Sequence, residues 1–417
     1  MVDRVRTDRP RRVSILGATG SIGQTTLGLL AENPAGFELV AVTAHRNVAR
    51  LAEIARQFRV QFAAIGDETL LPELRSLLTG TGIVCGGGLS ALSEAAAYPS
   101  DLVMAAMVGA SGLVPTLTAI RRGAMVGFAN KEVLVCAGHL VMAEAAKYGA
   151  KLLPVDSEHN AIFQVIQTNP TSAIERIILT ASGGPFLGWS LEEMARATRA
   201  QAVRHPIWSM GDKISIDSAT MMNKGLEIIE AHHLFALPEP QIEVVIHPQS
   251  VVHSLVAYCD GSVLAELGTP DMRTPIAYAL AWPKRMAKGG KRLDLSRLGN
   301  LSFAPPDPVR FPALRLARAA LAAGNGAATV LNAANEVAVA AFLKEAIGFN
   351  QICAIVEECL AGLSNQTITS LDDVFALDRE ARHRAEAEVK HWTGRASILG
   401  AVTERSQAPW LQTTALN

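Results

Sequence analysis

The chain has 417 residues, of which 49% are hydrophobic and 18% charged, and its formal net charge is −1. That length allows two or three domains with sizeable cores, and the composition excludes a disordered chain. The near-neutral balance gives no electrostatic ground for a nucleic-acid or membrane-surface partner.

Five dispersed cysteines (Cys85, Cys136, Cys259, Cys353 and Cys359) form no Cys-x-x-Cys pair. They read as reduced thiols of a cytoplasmic protein rather than a disulfide framework or zinc site. Residues 1–12 form a polar, Arg-rich N-terminal extension without the apolar core of a secretory signal. The most apolar region, residues 102–128, is interrupted by Gly109, Gly112, Pro115, Arg121 and Arg122, so no membrane span is expected.

The first predicted strand, Val13-Ser14-Ile15-Leu16, runs into Gly17-Ala18-Thr19-Gly20-Ser21-Ile22-Gly23 and then a helical pattern. Strand, glycine-rich turn and helix in that order is the setting of a dinucleotide fingerprint, with the pyrophosphate at free helix N–H groups. A tight turn without a ligand is the competing reading. Residues 37–43 form a second strand, followed by Ala44-His45-Arg46-Asn47. An NAD site would place an acid there; Arg46 instead suits the 2′-phosphate of NADP. Strand-like and helical runs alternate up to about Pro154, which predicts a doubly wound, mostly parallel sheet. Ala129-Asn130-Lys131-Glu132 falls at the carboxyl end of one strand, where such sheets bind ligands; Asn130 as a helix cap is equally compatible.

If Asp156-Ser157-Glu158 continues the strand before it, Asp156 and Glu158 share a side, and two carboxylates on one side call for a cation. Glu227, three residues after Lys224 on a predicted helix, offers a third carboxylate. Oxygen-only ligation suits Mg²⁺ or Mn²⁺. The adjacent His232 and His233 cannot converge on one metal and read as scaffold. Ala181-Ser182-Gly183-Gly184-Pro185-Phe186 can form an anion-binding nest, to which Ser218, Asn223 and Lys224 would add donors. The segment from His205 to Gly211, with Trp208 and Met210, reads as core filling or as a lid. Asp260-Gly261 between two strand-like runs predicts a hairpin. Prolines 305, 306, 308 and 312 mark a linker, followed by helical runs at 314–323 and 330–344.

Together these blocks resemble the 1-deoxy-D-xylulose 5-phosphate reductoisomerase family. The match includes the glycine turn, Asn130-Lys131-Glu132, Asp156-Ser157-Glu158-His159, Ser182-Gly183-Gly184-Pro185-Phe186 and His205-Pro206-x-Trp208-x-Met210-Gly211. It continues through Asn223-Lys224-Gly225-Leu226-Glu227, His247-Pro248-Gln249-Ser250 and Asn332-Ala333-Ala334-Asn335-Glu336, in family order. The resemblance implies an NADPH- and Mg²⁺- or Mn²⁺-dependent homodimeric enzyme of non-mevalonate isoprenoid synthesis. It would isomerise and reduce 1-deoxy-D-xylulose 5-phosphate to 2-C-methyl-D-erythritol 4-phosphate.

By motif, Asp156, Glu158 and Glu227 would hold the metal, with Lys131 joining them in catalysis. Substrate would meet Lys131, Ser157, Glu158, Ser182, His205, Trp208, Ser218, Asn223, Lys224 and Glu227. NADPH would meet Thr19, Gly20, Ser21, Ile22, Arg46, Asn47, Asn130, Glu132 and Gly211. The expected architecture is an N-terminal Rossmann-like domain (13–155), a central α+β catalytic domain with a flexible loop (156–290), a linker (291–312) and a C-terminal α-helical domain (313–417). Two rivals are an NADP-dependent dehydrogenase of a small phosphorylated substrate without skeletal rearrangement, and a non-catalytic NADP sensor. The first in its aspartate-semialdehyde form needs a nucleophilic cysteine in a setting absent here; the second has no use for convergent carboxylates.

Overall fold

The computed structural model describes residues 9–166, 171–208, 210–287, 289–324, 326–363 and 366–405. Most of the N-terminal extension and the end of the C-terminal tail therefore lie outside the described residues. Among the described residues, no helix is long and apolar enough to cross a membrane.

The chain opens with alternating strands and helices: β1 (Arg11–Leu16), α1 (Ser21–Glu32), β2 (Phe37–Ala44), α2 (Val48–Phe58), β3 (Phe62–Ile65) and α3 (Leu71–Leu77). It continues through β4 (Val84–Gly87), α4 (Gly88–Ala97), β5 (Leu102–Ala105), α5 (Leu113–Arg121), β6 (Met125–Phe128), α6 (Lys131–Tyr148) and β7 (Lys151–Pro154). These strands form one parallel sheet in the order β4-β3-β2-β1-β5-β6-β7. Residues Val13, Ile15, Leu39 to Val42, Phe62 to Ile65 and Leu102 to Met104 are nearly or wholly buried, as expected for strands covered on both faces. Strand order reverses between β1 and β5, so the crevice at their carboxyl ends is the natural ligand position.

After α7 (Ser157–Ile166) comes β8 (Ile174–Ala181), then α8 (Leu191–Ala195), α9 (Arg199–Ala202), α10 (Asp212–Ala219) and α11 (Met222–Phe235). Next are β9 (Ile242–Ile246), β10 (Val252–Tyr258), β11 (Val263–Leu267) and α12 (Arg273–Ala281). The second sheet has the order β11-β10-β8-β9. Its β10–β11 hairpin turns at Asp260-Gly261, where Gly261 has φ 86° and Asp260 accepts from the Ser262 N–H. Four helices complete the chain: α13 (Ala313–Ala323), α14 (Ala327–Leu343), α15 (Gln351–Leu363) and α16 (Leu371–Arg405). A Rossmann-like sheet, a second mixed sheet and a helical C-terminal region are the expected fold class.

Two local expectations differ. β7 stops at Pro154, and the Asp156 carbonyl accepts the Asn160 N–H at 2.9 Å, so Asp156 starts α7 instead of prolonging the strand. Asp156 and Glu158 are therefore not related by strand alternation. The strand-like run at residues 82–84 is paired only from Val84, in a fourth strand at 84–87, because Gly82 has φ 76°.

Candidate active site

The carboxyl ends of β1, β5, β6 and β7 and the face of the second sheet enclose a cavity of about 380 Å³. Gly20, Ser21 and Ile22 line one end, Ser182, Ser218, Asn223 and Lys224 another, and Lys131, Asp156, Ser157, Glu158 and Glu227 lie among its walls. Glu132, His205, Trp208 and Gly211 contribute as well. Thr19, Arg46, Asn47 and Asn130 do not line this cavity.

The glycine turn is sterically fixed. Gly17 has φ +90°, and a Cβ there would stand 2.5 Å from the Ala106 carbonyl oxygen after β5. A Cβ on Gly23 would meet the Gly17 carbonyl oxygen at 2.4 Å. Gly20 caps α1 without any side-chain hydrogen bond, which leaves the first-turn N–H groups available to an anion. Arg46 is exposed beyond the end of β2, and its Nε lies 3.2 Å from Asp67, an acid after β3 that the linear reading did not weigh. Asn47 caps α2 by accepting from the Arg50 N–H. Asn130 precedes α6 but does not cap it with its side chain; its amide donates to the Gly109 carbonyl at 3.0 Å.

Two lysines bind the carboxylates together. Lys131 Nζ pairs with Asp156 and, at 3.2 Å, with Glu227, and donates to Asn223 at 2.8 Å. Lys224 Nζ pairs with Glu227 and, at 2.8 Å, with Glu158. Glu227 thus joins both pairs and also accepts from the Asn223 amide. Ser157 donates to Glu158 at 2.7 Å. Burial opposes the Lys131 charge, yet Asp156 and Glu227 hold its pKa well above the usual lysine value. Against burial, Lys224 and the Ser157 hydroxyl hold Glu158 at about 2.

Behind this cluster lies a pair that linear reading did not pick out. His159, wholly buried, donates from Nε2 to the Glu227 carbonyl at 3.0 Å and faces Glu230 through Nδ1 at 3.1 Å. Glu230 lifts its pKa to about 9 despite burial, so the ring is an imidazolium at neutral pH. Asp156, His159 and Glu230 bring ligand-type atoms within 4.8 Å of one another. His159 and Glu230 stand behind Asp156 and tie it to the Glu227 backbone of α11.

The cavity-side carboxylates do fit a divalent cation. Among the described residues, Asp156, Glu158 and Glu227 pair with Lys131 and Lys224, three carboxylates to two ammonium groups, which leaves one negative charge without compensation. Asp156 bears the strain. Burial, then Glu230 and Glu158, lift its pKa above the ordinary value even with Lys131 opposing. A buried carboxylate in that state is stabilised by an added cation, and an oxygen-only donor set suits Mg²⁺ or Mn²⁺.

At the opposite end, the His205 Nδ1 accepts the N–H groups of Ile207 at 3.1 Å and Trp208 at 2.9 Å. Its proton is then on Nε2, which donates to Ser182 Oγ at 2.9 Å. Burial holds the His205 pKa below its usual value, in keeping with a neutral ring. Ser182 Oγ also accepts the Gly184 N–H at 3.1 Å, so the hydroxyl proton remains to be donated elsewhere. Gly183 and Gly184 have φ of 83° and 67°, and Gly184 passes so close to Ser218 that a Cβ would meet its carbonyl oxygen at 2.7 Å. His232 and His233 take no part: His232 Nδ1 bonds the Leu237 carbonyl, and His233 lies against Gly138 of α6. All five cysteines are free thiols.

Comparison with known proteins agrees over nearly the whole chain. The family model described as 1-deoxy-D-xylulose 5-phosphate reductoisomerase matches residues 13–138, and two models of the family's C-terminal domains match 152–235 and 267–384. The 1-deoxy-D-xylulose 5-phosphate reductoisomerase of Rhodospirillum centenum is 58% identical over 92% of this chain and 95% of its own length. The Rhodopseudomonas palustris (strain BisB18) enzyme is 52% identical over 94% of this chain and 98% of its own. Among solved structures, the Zymomonas mobilis reductoisomerase in complex with NADPH superposes with a TM-score of 0.87 at 51% identity, covering 91% of this chain and 99% of that one. A reductoisomerase in complex with NADPH, fosmidomycin and magnesium gives the same TM-score at 46% identity, covering 91% and 98%. On this evidence the chain belongs to the 1-deoxy-D-xylulose 5-phosphate reductoisomerase family.

Proposed function

We propose that the protein isomerises and reduces 1-deoxy-D-xylulose 5-phosphate to 2-C-methyl-D-erythritol 4-phosphate with NADPH and a divalent cation. The observation that carries this reading is one cavity joining a glycine-turn helix N-terminus, a carboxylate cluster short of one positive charge, and a hydroxyl-rich anion nest. A plain dehydrogenase of a phosphorylated substrate would need the first and the last of these but not the middle one. The complexes of relatives with NADPH, magnesium and fosmidomycin support the same reading.

Asp156, Glu158 and Glu227 would hold Mg²⁺ or Mn²⁺. The cation would chelate adjacent substrate oxygens and act as a Lewis acid on them. NADPH, on the Rossmann side near Thr19 to Ile22, Arg46, Asn47, Asn130, Glu132 and Gly211, would supply the hydride.

Lys131 stays protonated, so it serves as a fixed positive charge beside the oxygen that becomes negative when the carbon–carbon bond is remade. Ser157 and Glu158 would orient the substrate hydroxyls. Ser182 has a hydroxyl proton free for a phosphate oxygen, and Ser218 at the end of α10 with Asn223 and Lys224 at the start of α11 would add donors. His205 ties that serine to the Ile207 and Trp208 backbone. Seating the phosphate would therefore steady the loop that carries Trp208 over the substrate and excludes water.

The domain division 13–155, 156–290, 291–312 and 313–417, a cytoplasmic location and a homodimer belong to the same proposal. Edge strand β11 exposes Val263, Leu264 and Leu267, apolar groups suited to cover by a second copy. Light scattering giving twice the chain mass supports the dimer; a monomer at micromolar concentration removes it.

The decisive experiment follows NADPH oxidation with the deoxyxylulose phosphate, with and without Mg²⁺ or Mn²⁺, and identifies the product. Metal-dependent formation of the branched sugar alcohol is expected. A merely reduced ketose, or turnover that survives thorough chelation, overturns the reading.

A further inference from the structure

The run Asn332-Ala333-Ala334-Asn335-Glu336 lies on α14, in the C-terminal helical region and outside the cavity lining. Nevertheless it reaches the cavity through buried polar contacts. The Asn335 amide donates to Asp217 Oδ1 at 2.8 Å, and Lys213 Nζ holds Asp217 Oδ2 at 2.8 Å. The same Nζ holds Glu132 Oε1 at 3.0 Å. Glu132, Asp217 and Asn335 are 7%, 1% and 0% exposed, so none of these charges or amides has bulk water as an alternative partner.

Two further contacts bring α14 to the same side of the molecule. Glu336 is held by Arg382 at 2.6 Å and accepts from Asn332 at 3.2 Å. It backs onto Gly109, where a Cβ would stand 3.3 Å from its carboxylate, and the Gly109 carbonyl is the partner of Asn130. Thr329 donates to the Cys136 carbonyl at 2.9 Å, where α6 kinks at Ala137. Both Asn130 and Glu132, at the head of α6, are thus braced from one helix.

We propose that Asn335 and Lys213 are positioning residues for the cofactor, acting through Asp217 to fix the Glu132 carboxylate where the reduced dinucleotide is read. The relay rests on the functional reading above, and it gives a polar run inside an otherwise alanine-rich helix its buried partners. A partly exposed lysine shared by two buried carboxylates holds both only while its geometry is kept from the far side. Asn335 is the neutral group that does so: it satisfies the second oxygen of Asp217 without adding charge. Lys213 is also the second residue of α10, directly after the loop ending at Gly211, so the relay fixes the base from which that loop extends.

The test is a double-mutant cycle on the full-length enzyme with Asn335→Ala and Lys213→Met, made singly and together. NADPH dissociation constants by fluorescence titration, the Michaelis constant for the sugar phosphate, and melting temperature are measured for each. Each single change should weaken NADPH about tenfold, the loss expected when one charge-assisted contact is misplaced, with the sugar-phosphate constant within about twofold of wild type. The double variant should be no worse than the poorer single one, since both break the same relay. NADPH affinity within twofold of wild type in either single variant overturns the proposal, as does a multiplicative double variant. Equal weakening of both ligands with a lowered melting temperature also overturns it, because that marks a purely structural role. Lys213 is 26% exposed, so its methionine variant keeps the test open if Asn335→Ala fails to fold. A wild-type protein that does not bind NADPH at all instead removes the functional reading beneath the relay.

Discussion

The two ends of the cavity are built by opposite means. The glycine-turn end, where NADPH is proposed to sit, is mostly backbone: a turn with no room for a methyl group and a helix start with no side-chain cap. The carboxylate cluster is mostly side chain, with carboxylates, lysines and an amide bonded to one another. The first can exchange a dinucleotide without rearranging charge. The second holds its charges in a lattice where each group has a partner to lose, so a single replacement there disturbs several others.

Breaking the lattice at its junction should have the largest effect. Glu227→Gln takes the charge from the residue that joins the two lysine pairs, and turnover should fall by about a thousandfold or more, while NADPH affinity measured by fluorescence stays near wild type. Substantial activity would mean the third metal ligand is another residue. Gly17→Ala attacks the other end, where the new methyl would sit 2.5 Å from the Ala106 carbonyl oxygen. NADPH should bind roughly a hundredfold more weakly, with metal affinity by titration calorimetry retained. Normal NADPH binding would show that the turn can shift.

His205→Gln sharpens the comparison at the phosphate end, with the substrate Michaelis constant expected to rise about tenfold. Protonation of His205 would break its two N–H contacts, and burial puts its folded pKa below the usual value. Its contribution to the loop is therefore present above about pH 6.5 and lost as the pH falls through the lowered pKa. Substrate affinity of the wild type should drop on that acid side, and the glutamine variant should show no such limb. The smallest effect belongs to Arg46→Ala. Its guanidinium is exposed and already shared with Asp67, so preference for NADPH over NADH should fall only several-fold. An unchanged ratio would remove Arg46 from cofactor selection.

Much of this was legible in the sequence because it is local. The glycine turn, the burial pattern of β1 to β3 and the Asp260-Gly261 hairpin depend on near neighbours along the chain, and pattern reading located them. Asp156 lines the cavity from a helix start, not from the strand extension that its spacing suggests, because β7 ends at Pro154. Contacts between distant segments were not legible at all. His159 with Glu230, Lys213 with Glu132, and Asp217 with Asn335 are separated by 71, 81 and 118 positions, and no spacing rule couples them. Arg46 shows the same limit. The absence of an acid at the end of β2 was visible, but the one that meets it comes from the end of the neighbouring strand.

Helix α11 carries Asn223 and Lys224 in its first turn and Glu227 a turn later. Those residues lie on one rigid rod with a rise of about 1.5 Å per residue, so the backbone positions carrying the proposed phosphate donors and Glu227 are about 4.5–6 Å apart along the axis. Because Asn223 and Lys224 also bond Glu227 directly, a shift of the helix start would move the proposed phosphate donors and the proposed metal ligand together.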